Sequence, residues 1–337
     1  MKNVTIKDVA RVAGVSPSTV SRVISDSQRI SKKTKKLVRK TMKELGYHQN
    51  AIARSLVTKK TNTIGLVMAR PTQEAFANPF FSEIIQGIAV VTQKKHYNLI
   101  LSSTGDYHEE QEETIKLIRN RRVDGVILMA SRSNDELINQ LLEAEFPFVL
   151  IGRSPEYQGI PIVNNDNIKA VYDTVIYLFK KNYQDIIALS GPREYIVSQD
   201  RALGYQKALA EHAHKNQRII YIDDFTYEDG YQGTLKFLES NREPFDAILA
   251  FDDMIALGAL RAVQDYGFKV PRDIGIVGFN DDPMISYLRP ALTTVKIPIN
   301  KMGKEAAEML INILNNEDYQ GEEIILPTEL VIRETLQ

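Results

Sequence analysis

Val4-Thr5-Ile6-Lys7-Asp8-Val9-Ala10-Arg11-Val12-Ala13-Gly14-Val15-Ser16-Pro17-Ser18-Thr19-Val20-Ser21-Arg22-Val23-Ile24 decides the first part of the fold. Thr5 can cap a helix that opens at Ile6. Ile6, Val9, Ala10 and Ala13 then follow at helical spacing and form one apolar stripe. Gly14 suits the left-handed residue that ends such a helix. Ser16 caps a second helix, and Pro17 sits at its first position, where a missing N–H costs nothing. Val20, Val23 and Ile24 form its buried side. The small side chains of Ala10 and Ala13 let the two helices approach closely. Two short helices around a tight glycine turn read as a helix-turn-helix.

The second helix leaves Ser18, Thr19, Ser21 and Arg22 off the apolar stripe. In this motif the N-terminal part of the second helix enters the DNA major groove. Arg22 suits a bidentate bond to a guanine edge, and Ser18 and Thr19 suit bases or phosphates. Pro17 offers apolar contact. Thr5, Ser16 and Arg29 complete the expected DNA contacts of the head. A third helix runs from Ser31 as cap to Gly46 as stop, with Leu37, Val38, Thr41, Met42 and Leu45 expected inward and the lysines outward.

Charge supports this reading. Residues 1–60 carry fifteen Lys and Arg against three acids, a net +12, while the remainder carries 27 bases against 40 acids, a net −13. The whole-chain value of −1 hides a basic head on an acidic body. Such asymmetry points to a polyanion partner for the head alone.

Working outward, Leu45-Gly46-Tyr47 and Asn50-Ala51-Ile52-Ala53-Arg54-Ser55-Leu56 follow the third helix. With Val4 to Ala10, Ala13 to Ser16 and Thr19 to Val23, these stretches resemble the head and hinge of the LacI/GalR family in residue type and spacing. The resemblance implies an all-α helix-turn-helix domain over 1–48 and a hinge over 49–61. So short a segment holds no helix alone in water; in the family it folds on operator DNA, where paired hinges enter the minor groove. It gives Asn50 and Ala53 contact roles and makes Leu56 an apolar wedge between base steps. Gln49 stands where the family usually has proline, which implies a looser hinge.

From Thr63 the texture changes. Short apolar runs such as Ile64-Gly65-Leu66-Val67, Gly125 to Met129 and Phe148 to Ile151 alternate with amphipathic helical stretches. That alternation implies a parallel sheet covered by helices on both faces. A second series begins near Asn165 and includes Ile186 to Leu189, Ala247 to Ala250 and Ile274 to Val277. The expectation is an α/β body of two lobes with parallel sheets over 62–337. Ligands of such sheets lie beyond the carboxyl ends of the strands, which here means the cleft between lobes.

The family resemblance covers essentially the whole chain, through motifs such as Asn78-Pro79-Phe80-Phe81, Arg201 to Tyr205 and Gly278-Phe279-Asn280-Asp281. It implies a body similar to periplasmic sugar-binding proteins. The lobes are then about 62–164 plus 294–322, and about 165–293 plus 323–337. By matching positions it makes Arg201, Asp252 and Asn280 effector contacts, with Arg153 beside Gly152, where several members have aspartate. Phe76 and Phe80 offer aromatic faces to a sugar ring, while Asp253 orders its loop. It also implies a homodimer on a palindromic operator, with the helix of Phe81 to Val91 at the dimer face. Ile151-Gly152-Arg153 and Asn280-Asp281 look closer to the maltose-responsive branch than to the catabolite-control branch, where a phosphorylated carrier protein is corepressor.

Enzyme chemistry finds little support. There is no phosphate-cradling glycine motif, no G-x-S-x-G elbow and no H-E-x-x-H pair. The five histidines are scattered, and the absence of cysteine removes thiolate sites and disulfides. Neither metal nor cofactor is expected. No apolar run is long enough to span a bilayer, and no signal peptide pattern opens the chain, so a soluble cytoplasmic regulator is expected.

Overall fold

The computed structural model describes residues 4–47, 59–68, 76–129, 132–133, 135–212, 217–240, 243–316 and 321–337. The chain divides into two units, Met1–Thr61 and Asn62–Gln337.

The first unit holds three helices: α1 (Ile6–Ala13), α2 (Pro17–Ile24) and α3 (Lys32–Leu45). Each start carries a side-chain cap. The Asp8 N–H donates to Thr5 Oγ1 at 3.4 Å while the Thr5 N–H donates back to Asp8 Oδ2 at 3.0 Å. The Thr19 N–H donates to Ser16 Oγ at 3.1 Å, and the Thr34 N–H to Ser31 Oγ at 3.2 Å. Each such cap contributes about 1 kcal/mol. Gly14, at φ 65°, closes α1 in the left-handed region that turns the chain toward α2. Val9, Ala10, Ala13, Val20, Val23 and Val38 form the shared core. Asp26 accepts from Lys35 Nζ at 3.0 Å and Arg39 Nη2 at 2.6 Å, tying the turn after α2 to α3. Leu37 departs from expectation: it is 48% exposed. Val38 and Thr41 take the inward positions, and a neighbour 100° around the helix cannot share them.

The second unit contains two six-stranded sheets. The first orders its strands β11-β5-β4-β3-β1-β2, all parallel: β1 (Thr63–Met68), β2 (Asn98–Ser103), β3 (Gly125–Leu128), β4 (Phe148–Ile151), β5 (Ile162–Asn165) and β11 (Glu323–Leu326). The second orders them β12-β10-β9-β8-β6-β7: β6 (Ile186–Ser190), β7 (Ile219–Tyr221), β8 (Ala247–Ala250), β9 (Gly275–Asn280), β10 (Thr293–Lys296) and β12 (Glu329–Val331). Only β12 runs antiparallel, at one edge. Strands β1, β3, β4, β5, β6, β8 and β9 are buried along their whole length. Helices cover both faces of such sheets, so central strands read as unbroken apolar runs.

The helices of this unit are α4 (Pro79–Lys94), α5 (Tyr107–Arg119), α6 (Glu136–Glu143), α7 (Asn167–Lys180), α8 (Ile196–Glu211), α9 (Tyr227–Ser240), α10 (Asp253–Asp265) and α11 (Ile299–Asn315). Helices α4 and α11 pack through reciprocal glycines. A Cβ on Gly87 would lie 2.2 Å from the Asn300 carbonyl oxygen, and one on Gly303 would lie 2.3 Å from that of Ile84. No described helix is long and apolar enough to cross a membrane.

The chain passes between lobes after β5, after β10 and after β11. This corrects the two late lobe boundaries. Thr293–Lys296 pairs with β9 and belongs to the second lobe, so the return to the first begins after Lys296 rather than at 294. Glu323–Leu326 pairs with β5 in the first lobe rather than opening the second lobe's last segment. Backbone pairing decides both, and Thr335 reinforces the first by accepting the Thr293 N–H at 2.8 Å and donating to the Ile276 carbonyl at 2.6 Å.

Candidate functional site

In the first unit, α2 presents Pro17, Ser18, Ser21 and Arg22 exposed, with Thr19 half-buried. Ser16 Oγ lies 2.7 Å from Ser18 Oγ and 2.9 Å from Thr19 Oγ1. Three hydroxyls therefore gather at the N-terminal end of α2, where the helix dipole favours a negative group. Thr5 and Ser16 are exposed but serve first as caps. Arg22 and Arg29 are exposed and form no ion pair among the described residues. Asn50, Ala53 and Leu56 lie outside the described residues.

In the second unit a cavity of about 120 Å³ opens between the lobes. At roughly 10–15 Å³ per water-sized group it has room for on the order of ten such groups. Phe80, Arg153, Arg201, Asp252 and Asn280 line it together. Phe76 does not: it is 48% exposed, ahead of the Asn78 cap that turns the chain into α4. The cavity sits at strand ends. Asn165 ends β5, Asp252 follows β8, and Asn280 ends β9.

Arg201, on α8, is 5% exposed. Its Nε donates to Asn167 Oδ1 at 2.9 Å, its Nη1 donates to the Phe251 carbonyl, and its guanidinium carbon stands 3.8 Å from the Phe279 ring centre. Burial pulls its pKa down to about 10, against the pull of Asp252, Asp253 and Asp200. Asp252 caps α10, its Oδ1 accepting the Met254 N–H at 2.7 Å. Its Oδ2 accepts from Asn280 Nδ2 at 2.9 Å and, across the lobes, from Asn78 Nδ2 at 3.5 Å. Burial pushes the Asp252 carboxyl up to about 6. Asn280 holds φ at 126°, a conformation that costs a non-glycine residue of order 1–3 kcal/mol and recurs where a site fixes a side chain.

Arg153 makes a second crossing. Its Nε donates to Asp200 Oδ2 at 2.6 Å and its Nη2 donates to Asp200 Oδ1. The guanidinium thus forks onto a carboxylate of the other lobe, the strongest geometry available to this pair. Gly152, just before it, has φ 123°, which a residue with a Cβ rarely adopts. A third crossing lies at the rim. Arg132 pairs with Glu110 at 3.1 Å and sits between two rings, 4.8 Å from Tyr107 and 5.0 Å from Tyr195. Burial pushes Glu110 up to about 7 even with Arg132 beside it.

Asp253 is fully buried behind the cavity. It accepts from Thr294 Oγ1 at 2.7 Å and from the Asp282 N–H at 2.8 Å, so it fixes the turn after β9. Sequence reasoning missed Asn78, Asn165, Tyr195, Asp200 and Phe225, which also line the cavity. Asn165 ends a strand and was open to the same rule that found Asn280. The loop aromatics carry no such signal. No group of three or more His, Asp or Glu among the described residues is placed to hold a metal ion.

Comparison with known proteins matches both units. Residues 5–50 fit the model of bacterial regulatory proteins of the lacI family, and residues 175–336 fit that of a periplasmic binding protein-like domain. The HTH-type transcriptional regulator MalR of Streptococcus pneumoniae is 36% identical over 316 residues, 93% of each chain. The complex of transcriptional regulator CelR with cellobiose is 30% identical, with a TM-score of 0.76 over 98% of this chain and 99% of that one. The lac repressor dimer bound to operator and the anti-inducer ONPF is 27% identical, with a TM-score of 0.87 over the whole of both chains. These relatives are regulators of transcription, a class distinct from enzymes. A helix-turn-helix with an exposed arginine face, two sheets joined by three crossings and similarity along nearly the whole length have one explanation: the chain belongs to the LacI family of DNA-binding transcriptional regulators.

Proposed function

We propose that the protein is a homodimeric repressor of carbohydrate-use genes, and that a sugar bound between its lobes sets its affinity for a palindromic operator. The observation that carries this reading is the cavity itself. A buried arginine, a capping aspartate and several amides converge on it, and Phe80, Phe81, Tyr195 and Phe225 supply aromatic surface. Amide and carboxylate oxygens accept from hydroxyls, while ring C–H faces pack on aromatics; a carbohydrate offers both. The cellobiose bound to CelR and the operator bound to the lac repressor dimer support the same assignment by similarity. A maltose-type oligosaccharide is the first candidate, given the similarity to MalR.

In this mechanism Ser18, Ser21 and Arg22 read the major groove. Asn50, Ala53 and Leu56 act in the hinge, with Leu56 as a minor-groove wedge. A sugar that prefers one lobe angle shifts the distance between the two heads of the dimer. Coupling of about 1–3 kcal/mol, usual for allostery, changes operator affinity by roughly five- to 150-fold.

The test is a thermal shift on the full chain with maltose, maltotriose, cellobiose, glucose and ribose. A sugar at 100 times its Kd adds about 2.7 kcal/mol of stability. The sugar that raises Tm is expected to change operator binding in a mobility-shift assay, and Arg201→Ala is expected to abolish both responses. A responsive Arg201→Ala variant removes the site assignment. A Tm that no carbohydrate moves removes the sugar reading.

A further inference from the structure

We infer that the cleft selects an uncharged, oxygen-rich ligand over its phosphorylated counterpart, and that Asn165 is a specificity-determining residue that donates to it. The inference rests on the reading of this cavity as a sugar site.

Charge in the cavity wall is already balanced. Two arginines and two aspartates line it, and no lysine or histidine does. The Arg153 guanidinium is forked onto Asp200. The Arg201 guanidinium is held by Asn167 and the Phe251 carbonyl and stands over the Phe279 ring. Asp252 is satisfied by the Met254 N–H, Asn280 and Asn78. A phosphate entering this site finds no cation without a protein partner. Behind the wall Asp253 and Asp282 are buried, and burial pushes both carboxyls up, so this layer offers a phosphate no cation either. Burying an anion without a compensating charge is far costlier than burying a hydrogen-bonded hydroxyl.

What remains unsatisfied is a neutral donor. Asn165 is 3% exposed, lines the cavity at the carboxyl end of β5, and its Nδ2 has no hydrogen-bond partner. Buried polar groups in folded proteins almost always have partners, so an orphan in a ligand cavity marks a place where the ligand completes the bonding. An amide N–H takes a hydroxyl, ether or carbonyl oxygen. Asn165 stands on the first lobe, while Arg201, Asp252 and Asn280 stand on the second, so a ligand that bonds to it and to them bridges the lobes.

The aromatic surface fits the same class. Phe80 and Phe81 form an edge-to-face pair at 5.5 Å on the first lobe, and Tyr195 and Phe225 form another at 5.9 Å on the second. Two apolar walls with amides between them suit a ring that is apolar on its faces and polar at its rim.

Calorimetric titration of the full chain with matched pairs tests the inference: glucose against glucose 6-phosphate, maltose against maltose 6′-phosphate, and cellobiose against cellobiose 6′-phosphate. The neutral member of the pair that binds is expected to bind at least about tenfold more tightly, since an uncompensated buried charge costs more than one hydrogen bond. Asn165→Ala is expected to weaken that binding roughly two- to tenfold, the range of one neutral hydrogen bond. A circular-dichroism melt checks that the variant is folded; should it not be, Asn165→Ser replaces it, and the paired titration of the natural protein still decides the charge question. A phosphorylated member that binds as tightly or more tightly overturns the selectivity and leaves sugar sensing intact. A neutral sugar bound equally by the natural protein and the Asn165 variants overturns the role of Asn165. Binding of neither member of any pair takes down the sugar reading and this inference together.

Discussion

Replacing Arg153 with methionine strands a carboxylate between the lobes. Asp200 is 4% exposed at its side chain, and Arg153 is its only ion-pair partner among the described residues. Removing one member of a buried pair costs about 3–5 kcal/mol, because the other charge is left without compensation. The Arg153 side chain is 33% exposed, so water already shares part of this pair and screens it. The expected loss is therefore about 2–3 kcal/mol, at or below the bottom of that range. Asp200→Leu is the milder change, near 1 kcal/mol, because the arginine left behind can turn toward water. Combining Arg153→Met with Asp200→Leu removes both charges and is expected to return to within about 1 kcal/mol of the natural protein. Urea denaturation followed by tyrosine fluorescence measures all four, since the chain has fifteen tyrosines and no tryptophan. A double-mutant cycle then gives the coupling, expected near 2 kcal/mol. If Arg153→Met costs less than about 0.5 kcal/mol, or the two losses simply add, the pair does not hold the lobes and the reasoning fails.

Other consequences are open to direct measurement. Arg22→Ala is expected to relax preference at one base pair by roughly 1–3 kcal/mol; affinities across a set of single-base operator variants test it, and an unchanged ranking removes its base-reading role. Gly303→Ala places a Cβ 2.3 Å from the Ile84 carbonyl oxygen and forces α4 and α11 apart, at a cost of about 1–3 kcal/mol read as a lowered urea midpoint. Glu110 titrates near 7 when folded and near 4.5 when unfolded, so its contribution is complete below the unfolded value. It is lost as pH rises through about 7, some 3 kcal/mol in all. The fall in stability between pH 5 and 7 is thus expected to flatten in Glu110→Gln; identical slopes in the two proteins would contradict the assignment.

The head was legible because its signals are local. Thr5, Ser16 and Ser31 cap, Pro17 opens and Gly14 turns within a few residues of the groups they serve. Leu37 is apolar but lies 100° around the helix from Val38, an angle that composition does not reveal. In the body, unbroken apolar runs marked the central strands of both sheets. Sheet membership of the late strands was not legible. Thr293–Lys296 and Glu323–Leu326 are four-residue strands near lobe crossings, and nothing within either says which sheet it joins; the partners of the second lie 161 residues away, Glu323 pairing with Ile162. Arg201, Asp252 and Asn280 came from strand ends and resemblance, and the cavity brings them together. Phe76 failed because an aromatic near a motif carries no direction, and Asn78 turns the chain just after it.

The cavity's charged residues carry a consequence for how a ligand moves the lobes. Arg153 and Asn78 each bond across the cleft, to Asp200 and Asp252, and Arg132 stacks on Tyr195 at the rim. The lobes are thus held together by protein groups before any ligand contributes. A ligand shifts such an equilibrium only by the difference between its affinities for the two lobe angles. An anion would gain by breaking the Arg153–Asp200 fork and so would favour a more open form. A neutral ligand that leaves the fork intact and adds a bond to Asn165 favours the closed form. The sign of the lobe movement, and with it the effect on the paired heads, therefore follows from whether the ligand competes with Asp200 for Arg153 or shares the cleft with it.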